Sequence, residues 1–297
     1  MSEPAAGGPA RVAVVTVTYS PGPTLETFLD SLGEVDERPV PVVVADNGST
    51  DGAPERAATR PNVRLVSTGT NLGFGQAANR GVAEVPDADW VLIANPDVVL
   101  APGALAELVA ATRRWPRAGS LGPLIRTPEG AVYPSARALP SLGRGIGHAL
   151  FGWFWPANPW TTAYRRENEQ VTERTAGWLS GSCLLVRRTA FERVGGFDAR
   201  YFKYFEDVDL GERLAAAGWL NVYVPSAEII HLGGHSTSRR RGAMLAEHHR
   251  SAATYLSGRY AGARWAPVRL VLRAGLAARA AILGRLLTRG SATDEQE

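Results

Sequence analysis

The sequence runs to 297 residues, 45% hydrophobic and 21% charged, enough to bury a real core in one large or two modest domains. A single cysteine, Cys183, excludes a disulfide framework and a multi-cysteine metal site, and suits a reducing compartment. The net charge of +3 is modest, and no charged N-terminus leads into an apolar stretch. No apolar run is long enough to span a bilayer, so neither a signal peptide nor a membrane span is expected.

Residues 1–10 are small and Gly/Pro-rich, a composition that predicts disorder. Val12 to Thr18 reads as a buried first strand, ended by Ser20-Pro21-Gly22-Pro23, and Leu25, Phe28, Leu29 and Leu32 follow at helical spacing. A second buried strand, Val40 to Ala45, runs into Asp46-Asn47-Gly48-Ser49-Thr50-Asp51-Gly52, and Val63 to Val66 is a third. Gly69 to Gly75 is a glycine-rich loop leading into a helix near Gln76 to Val82. Its glycine spacing is not that of a dinucleotide fingerprint, it follows the third strand rather than the first, and no Walker A sequence exists.

Trp90 to Ala94 is a fourth buried strand, closed by Asn95-Pro96-Asp97. A carboxylate at the end of such a strand lies at the sheet edge where open α/β folds bind ligands, and one there suits a divalent cation. The spacing next predicts a helix from Pro102 to Trp115, with Pro102 in its first turn, then a pair of short strands at Leu121–Ile125 and Ala131–Ala136. Between Leu139 and Arg174 periodicity fails. The aromatic stretch Phe151 to Trp160 reads either as a loop over a satellite core or as a lip touching an apolar substrate.

Regular structure returns with a strand from Trp178 to Val186, a short helix at Thr189–Val194, and a helix opened by Phe205-Glu206-Asp207-Val208-Asp209 and closed by Gly218. A last strand, Leu220 to Val224, precedes His231, His235 and Ser236. Strands alternating with helices predict a mixed, mostly parallel α/β sheet flanked by helices. From His248 to Thr293 there is no Asp or Glu, while Arg250, Arg259, Arg264, Arg269, Arg273, Arg279, Arg285 and Arg289 fall there. That asymmetry points to an anionic surface, membrane or nucleic acid, or to helices packed at a dimer interface. Lys203 is the only lysine.

Several side chains carry two readings. Asp46 is either an Asx-turn residue or an acceptor for a nucleotide base or ribose. Acids at 206, 207 and 209 complement a helix dipole, yet a carboxylate emerging behind Phe202, Tyr204 and Phe205 could also take a proton from an acceptor hydroxyl. His231 is a structural histidine or, beside Asp97, half of a mixed N/O metal site. Ser236 and Arg239 to Arg241 are a solvated run or a phosphate-binding set.

Taken in order, Val17-Thr18-Tyr19, Ala45 to Gly52, Asn71-Leu72-Gly73-Phe74 with Asn79-Arg80-Gly81, Asn95-Pro96-Asp97, Trp178-Leu179-Ser180-Gly181, Phe205-Glu206-Asp207 and His231 resemble a family 2 inverting glycosyltransferase of the GT-A fold, nearest its rhamnosyltransferase branch. The resemblance covers about residues 11–238. It implies a catalytic domain there, a basic helical extension over 239–290 and a disordered tail at 291–297.

It implies further that Thr18, Tyr19, Asp46, Asn47, Asn79, Arg80 and Asn95 line the donor nucleotide pocket, and that Asp97 and His231 hold Mg²⁺ or Mn²⁺. Asn95 stands where the first acid of an Asp-x-Asp motif would be, which leaves Asp97 as the single carboxylate ligand. Asp207 would be the catalytic base with Glu206 beside it, Trp178, Ser180 and Gly181 would border the acceptor, and Ser236 and Arg239 would contact the diphosphate. The implied reaction transfers a sugar, L-rhamnose from dTDP-L-rhamnose, to a polyprenyl-diphosphate-linked acceptor in cell-wall polysaccharide synthesis, at the cytoplasmic face of the plasma membrane. UDP-galactofuranose or UDP-GlcNAc as donor, and a non-catalytic nucleotide-sugar binder, are the alternatives. Nucleic acid is not an expected partner, since no recognised motif accompanies the arginines.

Overall fold

The computed structural model describes residues 10–35, 38–140, 171–233 and 241–271. Its centre is a ten-stranded mixed sheet. β1 (Val12–Thr18) lies between β4 (Val42–Asp46) and β6 (Trp90–Ala94), parallel to both, and β5 (Val63–Ser67) extends the parallel half beyond β4. On the other side of β6 runs antiparallel β13 (Cys183–Arg187), then β8 (Ala118–Arg126), β14 (Leu220–His231) and β11 (Arg174–Ala176). The short hairpin β2 (Glu34–Val35) and β3 (Arg38–Pro39) stands apart.

Helices cover both faces, which is why β1, β4 and β6 are buried along their whole length rather than at alternate residues. One face packs Leu25 and Phe28 of α1 (Thr24–Ser31), Ala53 and Ala57 of α2 (Ala53–Ala57), and Leu105 and Leu108 of α4 (Ala104–Arg114) against Val12, Val14, Val42 and Leu92. The other packs α3 (Phe74–Ala83), α5 (Arg188–Arg193) and α6 (Glu206–Ala216) against Val15, Val17, Val43 and Ile93. α3 sits close to the sheet: a Cβ at Gly81 would come within 2.4 Å of Val15 Cγ1. α7 (Arg241–Arg259) packs Tyr255 against Tyr201 and Val208 in a separate small cluster. No helix of the described residues is long and apolar enough to cross a membrane.

Three expectations are corrected. The apolar run 178–186 is not one strand. β12 (Trp178–Leu179) pairs with β10 (Ala136–Arg137), and the chain breaks at 180–182, where the Ser180 amide donates to the Ser135 carbonyl, before β13 begins. The helix α4 starts at Ala104, not in the turn of Pro102, because Gly103 at φ 80° bends the chain ahead of it. The last strand does not stop at Val224. An irregularity between Val224 and Glu228 lets β14 continue to His231, where it pairs antiparallel with β7 (Val98–Leu100). The aromatic stretch 151–160 and the extension beyond residue 271 lie outside the described residues.

Candidate functional site

Strand register sets the site. Thr18 and Asp46 are opposite each other at the ends of β1 and β4, and Ala94, opposite Thr16, leads into Asn95-Pro96-Asp97. The Asp46 carboxylate accepts from the Thr18 hydroxyl at 2.7 Å, from the Gly48 amide at 3.1 Å, and from both the amide and the hydroxyl of Ser49. Those four donors match the four lone-pair positions of a carboxylate. Asp46 therefore fixes the loop at the sheet edge. Asn47, also buried, donates to the Gly73 carbonyl at 3.1 Å and accepts from the Leu72 amide and the Thr68 hydroxyl, tying this loop to the glycine-rich one. Arg80 donates to the Thr68 carbonyl at 2.9 Å.

Tyr19 stands half exposed beside this group. Asn79 faces elsewhere: its amide group and its oxygen are both engaged by the main chain of Phe197, at 2.8 and 2.9 Å.

A second group forms where β14 meets β7. His231 is opposite Val98, and the Leu232 amide donates to the Asp97 carbonyl, so the imidazole is brought to Asp97 from far along the chain. His231 Nε2 lies 3.1 Å from Asp97 Oδ1, and the Asn95 amide lies 3.4 Å from the same nitrogen. Burial alone would raise the Asp97 pKa, but the His231 hydrogen bond and charge hold it below the ordinary value. A carboxylate oxygen and an imidazole nitrogen at this separation need a shared proton or a cation between them. The oxygen and nitrogen donors fit Mg²⁺ or Mn²⁺. Among the described residues no cluster of three or more His, Cys, Asp or Glu occurs.

The third group is the start of α6. Asp207 Oδ2 accepts from the Gly181 amide at 3.0 Å and Oδ1 from its neighbour Val208 at 2.9 Å, and with its own main-chain amide as a third donor the carboxylate keeps a lone pair open. A Cβ at Gly181 would sit 3.4 Å from that of Asp207 and 3.7 Å from the Phe74 ring. The break between β12 and β13 is thus what delivers a main-chain donor to Asp207. Ser180 is buried there, its hydroxyl bonded to that of Ser182. The Trp178 indole donates to the Ala138 carbonyl and its ring carries the Arg137 guanidinium 5.5 Å above it. Desolvation raises the Asp207 pKa against its main-chain hydrogen bonds. Glu206 is buried, its Oε2 has no hydrogen-bond partner among the described residues, and desolvation followed by the charge of Asp207 raises its pKa as well.

Sequence reasoning did not single out Thr68, Ser182 or the Arg137 charge that acts on Asp207. Ser236 and Arg239 lie outside the described residues.

The glycosyl transferase family 2 model matches residues 13–195. The N-acetylglucosaminyl-diphospho-decaprenol L-rhamnosyltransferase of Mycobacterium tuberculosis (strain ATCC 25618 / H37Rv) is 57% identical over 94% of this chain and 94% of its own length. Rhamnosyltransferase WbbL of Escherichia coli (strain K12) is 29% identical over 75% of this chain and 84% of its own. Among solved structures, the mannosyltransferase PcManGT from Pyrobaculum calidifontis, in complex with GDP-Man and Mn²⁺, superposes with a TM-score of 0.60 at 21% identity, covering 98% of this chain and 84% of that one. The shared fold is the GT-A arrangement of a mixed, mostly parallel sheet between helices. The chain belongs to glycosyl transferase family 2.

Proposed function

We propose that this protein transfers L-rhamnose from dTDP-L-rhamnose to a hydroxyl of a GlcNAc-diphosphoryl-polyprenol, with inversion at the anomeric carbon. The observation that carries the chemistry is the Asp207 carboxylate, desolvated, oriented by the Gly181 amide and still able to accept a proton. The rhamnosyl donor and lipid-linked acceptor are supported by the 57% identity to the mycobacterial enzyme.

In this reading Asp207 takes the proton of the acceptor hydroxyl as its oxygen attacks the anomeric carbon. The bond from that carbon to the donor's phosphate oxygen breaks, the electron pair leaves with dTDP, and no glycosyl-enzyme intermediate forms. Glu206, driven toward its neutral form, spares the site a second negative charge beside the base. Asp46 and Asn47 hold the loops that border the nucleotide, with Thr18, Tyr19 and Arg80 in the same pocket. Asp97 and His231, with Asn95 beside them, would hold Mg²⁺ or Mn²⁺, which when bound offsets charge on the leaving diphosphate. Trp178, Ser180 and Gly181 border the acceptor. The metal reading is supported by the Mn²⁺ in the structure of PcManGT. A lipid-linked acceptor and the arginine-rich extension favour peripheral attachment to the inner leaflet, within a role in cell-wall synthesis.

A panel of nucleotide sugars assayed for thermal stabilisation, with and without Mg²⁺ or Mn²⁺, tests the donor directly. Stabilisation by dTDP-L-rhamnose above UDP-galactofuranose and UDP-GlcNAc is expected, and a preference for either UDP sugar would refute the rhamnosyl assignment.

A further inference from the structure

Among 32 Lys and Arg residues, Lys203 alone is lysine. It sits three residues before Glu206, half-buried, and its charge acts on both Glu206 and Asp97. Yet among the described residues it forms no ion pair with either. Its ammonium lies 5.6 Å from the centroid of the Tyr204 ring, and no side chain or carbonyl there accepts a hydrogen bond from it. Burial lowers its pKa, and the two carboxylates only partly oppose that. A half-buried ammonium without a bonded anion is only partly compensated, and such groups are ordinarily paired.

The backbone that carries Lys203 is held from both sides. The Phe202 carbonyl accepts from the Phe74 amide at 3.1 Å, and a Cβ on Gly73 would stand 2.2 Å from that oxygen. The Lys203 carbonyl accepts from the Ser251 hydroxyl of α7 at 2.8 Å. Tyr204 and Phe205 follow with φ of 68° each, a left-handed conformation that strains non-glycine residues. The Phe205 ring is set between His248 and Tyr255 of α7, at 5.5 and 5.6 Å. The glycine-rich loop and α7 thus hold the backbone that carries Lys203 from both sides.

Neither neighbouring carboxylate bonds it: Glu206 is pushed toward its neutral form, and Asp97 is hydrogen-bonded to His231. A lysine, a compact charge with three donors, suits single phosphate oxygens where the planar guanidinium used elsewhere in this chain suits paired ones.

We propose that Lys203 is a diphosphate-binding residue, its ammonium taking a phosphate oxygen in the space it shares with Asp97 and Glu206. The assignment rests on the glycosyltransferase reading above, in which two diphosphates enter the site: that of the nucleotide and that of the prenyl acceptor.

The single lysine makes the test direct. Reductive methylation with ¹³C-formaldehyde labels Lys203 and the N-terminal amine, and the K203R variant identifies which resonance belongs to Lys203. Addition of dTDP with Mg²⁺ is expected to shift that resonance, which assigns the nucleotide as the source. A shift with geranyl diphosphate instead assigns the acceptor, and either response supports the proposal. By calorimetry, K203M should bind the responding diphosphate about 10- to 100-fold more weakly, and K203R should recover most of the loss. Should K203M not fold, the labelled wild-type resonance still decides. If calorimetry shows dTDP binding while neither diphosphate moves the resonance, Lys203 is not a diphosphate ligand and the glycosyltransferase reading stands. If the wild-type protein binds neither diphosphate, both readings fail together.

Discussion

The Gly181 amide points at the carboxylate of Asp207, 3.0 Å from Oδ2, across a gap of 26 residues in the chain. The contact exists because the run from Trp178 to Arg187 is interrupted rather than continuous, so a main-chain donor that a strand would spend on its neighbour is left for a side chain. It fixes which lone pairs of Asp207 remain to meet a substrate.

Replacing Asp207 with Asn separates the geometry from the proton chemistry. The Asn oxygen can keep the bond from Gly181 while its NH2 gives up the one from Val208, so the variant should fold with a modestly lowered thermal midpoint. It has no basic oxygen, and turnover should drop by about 10²- to 10⁴-fold, the range for losing a general base. A transfer assay with dTDP-L-rhamnose reads the loss. Turnover near the wild-type value would remove Asp207 from the base role.

The pH dependence of stability reports on Glu206. Its pKa is raised by burial and by Asp207 from an ordinary value of 4.5, so above that value the folded state retains a proton that the unfolded state has released. The folded state then binds more protons, and linkage makes this group's contribution to stability fall as pH rises. Glu206→Gln does not titrate. Its thermal midpoint relative to wild type should therefore improve from about pH 5 to about pH 8. A difference between the two proteins that stays constant across that range would mean that Glu206 is not desolvated as described.

Much of the frame was readable in the chain itself. β6 is an unbroken apolar run and β1 one interrupted only by threonines, closed by Asn-Pro-Asp and Ser-Pro-Gly-Pro, and burial on both faces by helices gives that pattern. The acids of α6 were placed correctly in its first turn. What stayed hidden depends on distant partners. β7 is three residues long, and its pairing with β14 joins segments some 130 residues apart, which no local periodicity encodes. The break at 180–182 leaves no apolar gap, since Ser and Gly are compatible with a buried strand. The resemblance puts Asn79 with Arg80 at the nucleotide pocket, and nothing local foretells that its carboxamide also bonds the main chain at Phe197, 118 residues away. The left-handed turn at Tyr204 and Phe205 has no glycine to announce it.

Asp97 and His231 should act as one unit toward a cation. Asp97→Ala and His231→Ala are each expected to abolish the part of dTDP-dependent thermal stabilisation that requires Mg²⁺ or Mn²⁺, leaving any metal-independent part in place. The pairing at 3.1 Å is the reason for expecting equal effects. If only the aspartate variant loses the metal response, His231 orients Asp97 without serving as a ligand.

The extension tests the membrane assignment. α7 ends at Arg259, and Leu270 and Val271 beyond it are largely exposed. Deletion of residues 264–297 removes most of the arginines of the acid-free segment while leaving α7 in place. Co-sedimentation with anionic liposomes should fall sharply and become insensitive to salt. Unchanged sedimentation would refute the membrane assignment of the extension.

The glycine-rich loop supplies a test of how the site is assembled. Gly73 has φ 81°, and a Cβ there would lie 2.2 Å from the Phe202 carbonyl oxygen, a backbone atom that cannot swing aside. Gly48 has φ 90° with nothing within 4 Å of the same position. Ala at Gly48 therefore pays only for the left-handed backbone, about 1–2 kcal/mol. Ala at Gly73 adds the overlap, about 1–3 kcal/mol more. It also pushes away the segment that carries Lys203 and Glu206. Urea unfolding should rank Gly73→Ala below Gly48→Ala by that margin, with the Gly73 variant also losing transfer activity in excess of its loss of stability. Equal stabilities for the two variants would mean that the close approach of Gly73 to Phe202 does not hold the 202–206 segment in place.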